Sequence, residues 1–211
     1  MLLNNHSGIL ITLEGPEGSG KSTQAGILSD WLRAEGFDPV LTREPGGTSL
    51  GSLIRKVLLE EDLAVNPRAE IFLYAADRAQ HMAEVIIPAL KAGRIVLCDR
   101  FIDSTAAYQG FARDLGMDLV AGVNALATWG MVPDLTLLYD IPADVGMHRK
   151  KGGFRDRIEQ EEISFHEVVR EGYLETARLN PGRIRIVDAS KSIEEVSKKS
   201  IDYLSGFLKN F

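Results

Sequence analysis

The feature that most constrains this chain is a glycine-rich stretch at residues 15–22, which reads Gly-Pro-Glu-Gly-Ser-Gly-Lys-Ser. It fits the phosphate-binding pattern G-x-x-x-x-G-K-[ST] and lies between an apolar run at 9–13 and a helix-compatible segment at 23–34. Glycines let backbone N–H groups converge on a polyphosphate, and a helix N-terminus attracts negative charge. In this pattern the lysine reaches the β- and γ-phosphates and the serine binds Mg²⁺. The stretch, called the phosphate-binding loop below, predicts a nucleoside triphosphate site.

The composition is that of an ordinary soluble globular protein. The 211 residues are 45% hydrophobic and 26% charged, with a formal net charge of −6. This acidity argues against general nucleic-acid binding, because affinity for a phosphate backbone requires a basic surface. The single cysteine, Cys98, forms no internal disulfide, which fits a reducing cytoplasm. We therefore expect one cytoplasmic domain over residues 1–211, with a short flexible leader at 1–8, no signal peptide and no membrane span.

Short apolar runs alternate along the chain with longer segments of helical periodicity. The predicted strands span residues 9–13, 39–42, 94–98, 135–139 and 184–187. The predicted helices span residues 21–35, 48–60, 67–91, 104–112, 117–129, 142–150, 159–179 and 191–209. Fully apolar strands suit a sheet that is covered on both faces, and the alternation favours right-handed crossovers. The predicted fold is therefore α/β, a P-loop NTPase fold with three α/β/α layers, a five-stranded parallel sheet and a mobile lid.

Local signals also mark helix boundaries. Asn66 and Pro67 form a good helix start, since one offers a capping side chain and the other suits the first helical position. Gly93 and Gly130 stand where helices are expected to end.

Charged residues follow the predicted strands, at the edge of the sheet where ligands bind in such folds. Asp99 and Arg100 come directly after the 94–98 strand, where the acid can order Mg²⁺ through water and the cation can hold a second phosphate. Arg43 ends the second strand and Arg55 lies in the next helix, so that three arginines are expected around one anion. The D-x-x-G and N-K-x-D motifs of a switch GTPase are absent. The pattern favours a kinase with a phosphorylated acceptor.

Two further segments suit a nucleotide. Tyr74 and Arg78 are four residues apart on the 67–91 helix, so that a ring and a guanidinium share one face and can stack on a base and contact its edge. Residues 149–157 are basic and glycine-hinged, which predicts a mobile lid over the phosphates. Because residues 16–19 include no basic side chain, we expect the lid to supply a catalytic arginine.

Together these motifs resemble those of the bacterial-type thymidylate kinase family, whose members phosphorylate dTMP with ATP. The resemblance covers about residues 8–207. Its most specific elements are Thr-Arg-Glu-Pro-Gly-Gly-Thr at 42–48, Asp-Arg-Phe at 99–101 and Ser-Thr-Ala-Ala-Tyr-Gln-Gly at 104–110. The family pattern also includes Glu-Gly at 14–15, Asp-Arg-Ile-Glu at 156–159 and Val-Asp-Ala-Ser at 187–190.

The resemblance implies a role for each matching residue. The ATP-binding residues would be Gly15, Pro16, Glu17, Gly18, Ser19, Gly20, Lys21, Ser22 and Thr23, with Arg149 and Ala189 near the adenine. The dTMP-binding residues would be Glu17 at the sugar, Arg43, Arg55 and Arg100 at the phosphate, and Tyr74, Arg78, Thr105 and Gln109 at the base. The catalytic cations would be Lys21, Arg100, Arg155 and Arg157, and the Mg²⁺-binding residues would be Ser22 and Asp99. A homodimer formed through helix packing is also implied.

One departure from the family pattern bears on the base pocket, since Tyr74 stands where phenylalanine is usual. Its ring still stacks, but a buried hydroxyl needs a polar partner. A pocket for one methyl group discriminates by only about 1–3 kcal/mol, so dUMP is expected to be a weak substrate.

Two alternative functions stay open at this point. A kinase acting on dCMP, UMP or a deoxynucleoside would share the fold and the phosphate-binding loop. A nucleotide-dependent regulatory protein would keep the same fold without turnover.

Overall fold

A computed structural model describes residues 7–150 and 156–209. The strands are β1 (Ile9–Glu14), β2 (Val40–Arg43), β3 (Ile95–Asp99), β4 (Leu135–Asp140) and β5 (Ile184–Asp188). The helices are α1 (Lys21–Ala34), α2 (Ser49–Leu59), α3 (Pro67–His81), α4 (Ile87–Lys91), α5 (Ile102–Thr105), α6 (Met117–Thr128), α7 (Ala143–Arg149), α8 (Ile163–Leu179) and α9 (Ile193–Leu208). Two π-helical segments, Met82–Ile86 and Ala106–Ala112, join α3 to α4 and extend α5. The five predicted strands are confirmed with small shifts at their ends.

The strands form one parallel sheet in the order β2-β3-β1-β4-β5. β1 is central and buried along its whole length. It pairs with β3 from Ile9 opposite Ile95 and with β4 from Ile11 opposite Leu135. Folds of this kind bind ligands outside the carboxyl ends of the strands, where the strand order reverses. The sheet therefore brings the loop after β1 to the centre of the expected binding edge.

Alternate residues of the strands pack into separate cores on the two faces of the sheet. On one face, Leu13 of β1 belongs to a core with Leu28 of α1 and Leu204 of α9. On the other face, Leu10 of β1 belongs to a core with Leu90 of α4, and α8 packs beside it on β4 and β5. Helices thus cover both faces, which confirms the predicted three layers.

The predicted helix boundaries are confirmed at three positions. Asn66 accepts a hydrogen bond from the Arg68 N–H at 2.9 Å, and Pro67 is the first residue of α3. Gly93 and Gly130 follow the ends of helices with φ values of 74° and 77°, a conformation that favours glycine.

Three predicted helices differ from the structure. The helix expected at 67–91 is interrupted by the π-helical segment Met82–Ile86. The helix expected from residue 159 begins only at Ile163, because Asp156 Oδ1 accepts from the N–H groups of Ile158 and Glu159 at 3.0 Å each and holds this segment in turns. The helix expected at 104–112 is π-helical from Ala106 onward. Such a segment changes the angular position of the side chains that follow.

Within residues 7–150 and 156–209, no helix has the length and the apolar composition that crossing a bilayer requires.

Candidate active site

The phosphate-binding loop joins β1 to α1 through three glycines in unusual conformations. Gly15, Gly18 and Gly20 have φ values of 144°, 71° and 84°. A Cβ on Gly15 would lie 2.4 Å from the Tyr139 carbonyl oxygen, and one on Gly18 would lie 2.0 Å from the Gly146 carbonyl oxygen. The loop therefore packs directly against the backbones of β4 and α7, and only glycine fits at these contacts.

Lys21 folds back onto this loop. Its ammonium group donates to the carbonyl oxygens of Gly15 at 2.9 Å and Pro16 at 2.8 Å, and to Ser19 Oγ at 3.2 Å. Burial, together with the positive charge of Arg100, lowers the pKa of Lys21 to about 8. The loop thus holds a buried cation whose present partners are neutral oxygens, and phosphate oxygens would replace them as stronger partners.

Ser22 and Asp99 join the start of α1 to the end of β3. Ser22 Oγ donates to Asp99 Oδ2 at 2.5 Å, and both residues line the central cavity. A hydroxyl and a carboxylate are the hard oxygen donors that Mg²⁺ takes, with water and phosphates completing its shell. The pair fits the magnesium-binding role predicted for it.

Arg100 adopts a left-handed backbone conformation, with φ of 73°. A non-glycine residue in this region is uncommon and is often found at functional sites. Its guanidinium donates to the Gly15 carbonyl oxygen at 3.2 Å and to the Tyr173 hydroxyl at 3.1 Å, and lies 5.2 Å from the centre of the Tyr108 ring. It also pairs with the Glu17 carboxylate. The strand end therefore fixes a cation directly beside the phosphate-binding loop, as predicted.

Glu17 is surrounded by cations. One carboxylate oxygen contacts Arg100 and the other accepts from Lys150 Nζ at 2.9 Å. Burial alone would raise the pKa of Glu17, but Arg100, Lys21 and Lys150 together hold it well below its usual value. Lys150 contacts Glu159 as well, so that it links the loop to the segment following residue 155. Glu17 accordingly stays ionised and available as a hydrogen-bond acceptor.

The turn between β2 and α2 brings Arg43 and Arg55 to one place. A Cβ on Gly46 would lie 3.1 Å from Arg55 Cδ and 3.9 Å from Arg43 Nε. Arg55 donates to the Pro45 carbonyl oxygen at 3.0 Å, while Arg43 is exposed. Both arginines line the same cavity as Arg100. The structure thus brings together the three arginines predicted for the acceptor phosphate.

Arg78 lies at the base of the cavity but is largely occupied by protein partners. Its side chain is only 2% exposed and donates to Glu44 at 2.8 Å, Thr105 Oγ1 at 2.9 Å, Asn124 Oδ1 at 2.6 Å and the Phe101 carbonyl oxygen at 2.9 Å. Of the five guanidinium N–H groups, these contacts leave one for a ligand. Contact with a base edge stays a prediction, and the structure adds a role in holding α3, α5 and α6 together.

Tyr74 lines the cavity one turn before Arg78 on α3. Burial and the nearby Glu70 carboxylate raise the pKa of its hydroxyl. The phenol is therefore neutral, and stacking of its ring on a base stays a prediction.

Gln109 and Arg157 both contact the buried carboxylate of Glu70. Gln109 Nε2 donates at 2.7 Å and Arg157 Nη2 at 2.6 Å, and Arg157 Nε also donates to the Leu58 carbonyl oxygen at 3.1 Å. Arg157 therefore lies on the α2–α3 side of the cavity, away from the phosphate-binding loop. Glu70 was not predicted as a site residue. The signal available in the sequence was an acidic residue within an amphipathic helix, with basic residues near it.

The two residues predicted to lie near the adenine contact each other. Arg149 Nη1 donates to the Ala189 carbonyl oxygen at 2.9 Å, which joins the end of α7 to the loop after β5. Arg155 and most of the predicted lid lie outside the described residues.

Fifteen of the predicted binding residues line one cavity of about 410 Å³, whereas Gly15, Pro16, Ser19, Ala189 and Arg157 are not part of its lining. This is within the usual range for small-molecule sites. Its lining includes Glu17, Gly18, Gly20, Lys21, Ser22, Thr23, Arg43, Arg55, Tyr74, Arg78, Asp99, Arg100, Thr105, Gln109 and Arg149. A loop for one polyphosphate and a cluster of arginines for a second anion therefore face a common space.

Glu14 was not predicted to have a role, yet it supports the site. It is fully buried and accepts hydrogen bonds from the Phe101 N–H at 2.8 Å, Ser104 Oγ at 2.6 Å and the Tyr173 hydroxyl at 3.2 Å. Burial, reinforced by Asp103, raises its pKa to about 7. Its contacts fix the backbone that carries Arg100. A charged residue at the end of an apolar strand was the signal available in the sequence.

Comparison with known proteins gives a consistent result. Residues 13–200 match the family model described as thymidylate kinase. The thymidylate kinase of Desulfovibrio desulfuricans is 47% identical over 210 residues, covering 95% of this chain and 97% of that protein. The thymidylate kinase of Carboxydothermus hydrogenoformans is 48% identical over 200 residues, covering 94% of this chain and 98% of that protein.

The fold agrees with the sequence matches. The crystal structure of thymidylate kinase from Ehrlichia chaffeensis superposes with a TM-score of 0.78 at 33% identity, covering 94% of this chain and 98% of that chain. Sequence and fold therefore agree over almost the whole length, and the chain belongs to the thymidylate kinase family.

Proposed function

We propose that the protein is a dTMP kinase, which transfers the γ-phosphoryl group of ATP to dTMP and yields dTDP and ADP. The observation that carries this proposal is the common cavity, in which the phosphate-binding loop faces Arg43, Arg55 and Arg100. Two phosphate-binding groups that face one another suit phosphoryl transfer between two nucleotides. Tyr74, with Thr105 and Gln109 beside it, offers a surface for the acceptor base.

The reaction needs positioning and charge neutralisation more than proton transfer. An oxygen of the dTMP phosphate attacks the γ-phosphorus of ATP, and the bond from that phosphorus to the β–γ bridging oxygen breaks. The acceptor oxygen is already anionic, so no strong base is required. Lys21 neutralises the transferring group and Arg100 holds the acceptor in line, while Glu17 accepts a hydrogen bond from the acceptor sugar.

Ser22 and Asp99 are the residues that would hold Mg²⁺, as their paired oxygens fit a hard cation. When bound, Mg²⁺ would neutralise negative charge on the β- and γ-phosphates of ATP. Asp99 is oriented for this by its hydrogen bond from Ser22, and the backbone that follows it carries Arg100.

Arg157 would act as a lid cation only after it leaves Glu70. The present ion pair, at 2.6 Å, keeps its guanidinium on the acceptor-base side of the cavity. Closure over bound ATP would exchange this carboxylate for phosphate oxygens. Arg155 is proposed as a second lid cation on the family resemblance alone.

A coupled assay of ADP release tests the proposed substrate. We expect turnover to be highest with dTMP and about 10- to 200-fold less efficient with dUMP, because a single methyl group distinguishes the two bases. The same assay with dCMP, UMP and thymidine should show little activity. Preference for another acceptor would make the chain a different nucleotide kinase, and no turnover with any acceptor would favour a regulatory protein.

The pKa of Lys21 predicts how ATP use depends on pH. Since its value of about 8 is below that of an ordinary lysine, the free enzyme loses this charge as the pH rises through 8, and kcat/KM for ATP should fall about tenfold per pH unit above it. Measurement of kcat/KM for ATP from pH 7 to 9.5, at dTMP concentrations well below its KM so that the free enzyme is sampled, checks this. In a Lys21→Arg variant, whatever activity remains should not decline over this range. A wild-type profile that stays level to pH 9.5 would contradict the assignment.

We further propose that the protein is a homodimer, formed through α2, α3 and α6. These helices pack side by side and expose large apolar side chains, including Leu53 at 60%, Phe72 at 63% and Leu126 at 84%. Exposed apolar patches of this kind commonly mark protein interfaces.

Light scattering after size exclusion tests the dimer, with an expected mass of twice the chain. Leu53→Glu should produce monomers, because a charge would be buried at the interface. Leu179→Glu is a matched control, since Leu179 is equally exposed at 60% but lies at the end of α8. A monomeric wild-type protein would disprove the proposal.

A further inference from the structure

Asp77 is a fully buried carboxylate on α3 that lies behind the lining of the substrate cavity. Its Oδ1 accepts a hydrogen bond from the Gly46 N–H at 3.0 Å. Its Oδ2 is also buried and has no hydrogen-bond partner in the part of the chain that the structure describes. A buried carboxylate with an unpaired oxygen is costly. We therefore look to the contact with Gly46 for the reason that a carboxylate is buried at this position.

Gly46 occupies the centre of the turn that presents two phosphate-binding arginines. Its φ of 115° is accessible mainly to glycine. Arg55 donates to the neighbouring Pro45 carbonyl oxygen, and a Cβ added to Gly46 would lie 3.1 Å from Arg55 Cδ and 3.9 Å from Arg43 Nε, so both side chains pass close to Gly46. A shift of the Gly46 backbone would therefore change the separation of Arg43 and Arg55.

The first turn of α2 is shaped around the same carboxylate. A Cβ on Gly51 would lie only 2.2 Å from Asp77 Oδ1. The Gly51 N–H is satisfied by the Thr48 side chain at 2.9 Å, which caps α2. Asp77 is thus placed between the turn and the helix that carries Arg55, and it contacts both.

The charges around Asp77 do not offset the free-energy cost of burying its carboxylate. Burial and the neighbouring Glu44 carboxylate raise its pKa to about 6, against the opposing effect of the Gly46 N–H, His81 and Arg78. His81 and Arg78 both pair with Glu44. The ionised form of Asp77 therefore lowers the stability of the fold at neutral pH, which separates its role from that of an ordinary core residue.

We propose that Asp77 is a positioning residue for the acceptor phosphate, which acts by holding Gly46 so that Arg43 and Arg55 converge on one anion. The inference rests on the proposed dTMP kinase function and adds to it. Because α3 also carries Tyr74, one helix then sets the distance between the base pocket and the phosphate-binding turn.

Steady-state kinetics of two Asp77 variants test this role. Asp77→Ala removes the acceptor of the Gly46 N–H. We expect the KM for dTMP to rise about tenfold or more, which corresponds to the loss of one structural hydrogen bond. The kcat and the KM for ATP should change less than about threefold. Asp77→Asn keeps an oxygen for Gly46 and should restore a KM for dTMP near that of the wild type. It should also raise Tm relative to the wild type more at pH 8 than at pH 5, because it removes the buried charge.

A glycine pair provides the test if Asp77→Ala does not fold. Gly51→Ala would displace the Asp77 carboxylate and should raise the KM for dTMP, whereas Gly206→Ala on α9, where a Cβ meets nothing within 4 Å, should not. The proposal is overturned if the KM for dTMP is unchanged in Asp77→Ala or, where that variant does not fold, in Gly51→Ala. It is also overturned if Asp77→Asn raises the KM for dTMP as much as Asp77→Ala does. Failure of the wild type itself to use dTMP would instead disprove the proposed function.

Discussion

Lys21→Ala is expected to lower kcat by about 10²- to 10³-fold, with a smaller effect on the KM for dTMP. The ammonium group is the buried cation nearest to the loop carbonyls of Gly15 and Pro16, at 2.9 and 2.8 Å. It has no counterpart within the loop, because residues 16–19 include no basic side chain. Its loss therefore removes charge from the transferring phosphoryl group at the step where negative charge is redistributed.

A matched variant separates this effect from damage to the loop. Lys21→Met keeps most of the aliphatic stem but not the charge, so it should lose kcat to a similar extent as Lys21→Ala. Single-turnover kinetics and Tm are the measurements. Near-normal kcat in both variants would remove Lys21 from the mechanism, whereas a fall in Tm with proportional loss of active protein would indicate a structural role only.

Arg78→Ala is expected to have the largest effect on stability and to raise the KM for dTMP as well. The Arg78–Glu44 ion pair is almost completely buried, with 2% exposure on each side. Removing one partner of such a buried pair costs about 3–5 kcal/mol of unfolding free energy. Glu44 would lose the guanidinium charge and keep His81 Nδ1, at 2.9 Å, as a partner. If the remaining N–H contacts the base, the KM for dTMP should rise about 10- to 100-fold.

A double-mutant cycle distinguishes the two effects of this substitution. Glu44→Gln removes the buried negative charge that has lost its guanidinium partner, so Arg78→Ala with Glu44→Gln should regain part of the stability lost in Arg78→Ala alone. The KM for dTMP should stay high in the double variant, because no guanidinium is available to the base. Urea unfolding and the coupled kinase assay are the measurements. Recovery of a normal KM together with stability would mean that Arg78 acts only through packing.

Local sequence patterns were sufficient for the outline of this fold. The five apolar runs form five parallel strands, of which β1, β3 and β4 are buried almost throughout, whereas the edge strands β2 and β5 are partly exposed. Asn66 starts α3 through its capping side chain, and Gly93 and Gly130 follow helix ends in a conformation that favours glycine. The turns at Asp156 were missed, because a side chain hydrogen-bonding to N–H groups two and three residues later is not visible as periodicity.

Residues at strand ends were predictable for a similar reason. In a parallel sheet all carboxyl ends lie at one edge, so Lys21, Arg43, Asp99 and Arg100 were expected to lie near one another, and they line one cavity or touch across it. Partners that lie far apart in the chain were not predictable. Arg78 had the spacing of a base-binding residue, but its four protein contacts come from other elements.

Local periodicity and fixed spacings along the chain were enough to predict the layered α/β fold, the phosphate-binding loop and the set of charged groups around it. Which of those charged groups can contact a ligand depends on the tertiary structure. In the folded protein Arg157 pairs with Glu70, Lys150 pairs with Glu17, and the buried Asp77 accepts a hydrogen bond from Gly46. The availability of a charged group depends on its burial and on counter-charges from elements that are distant in the chain, and only packing brings these together.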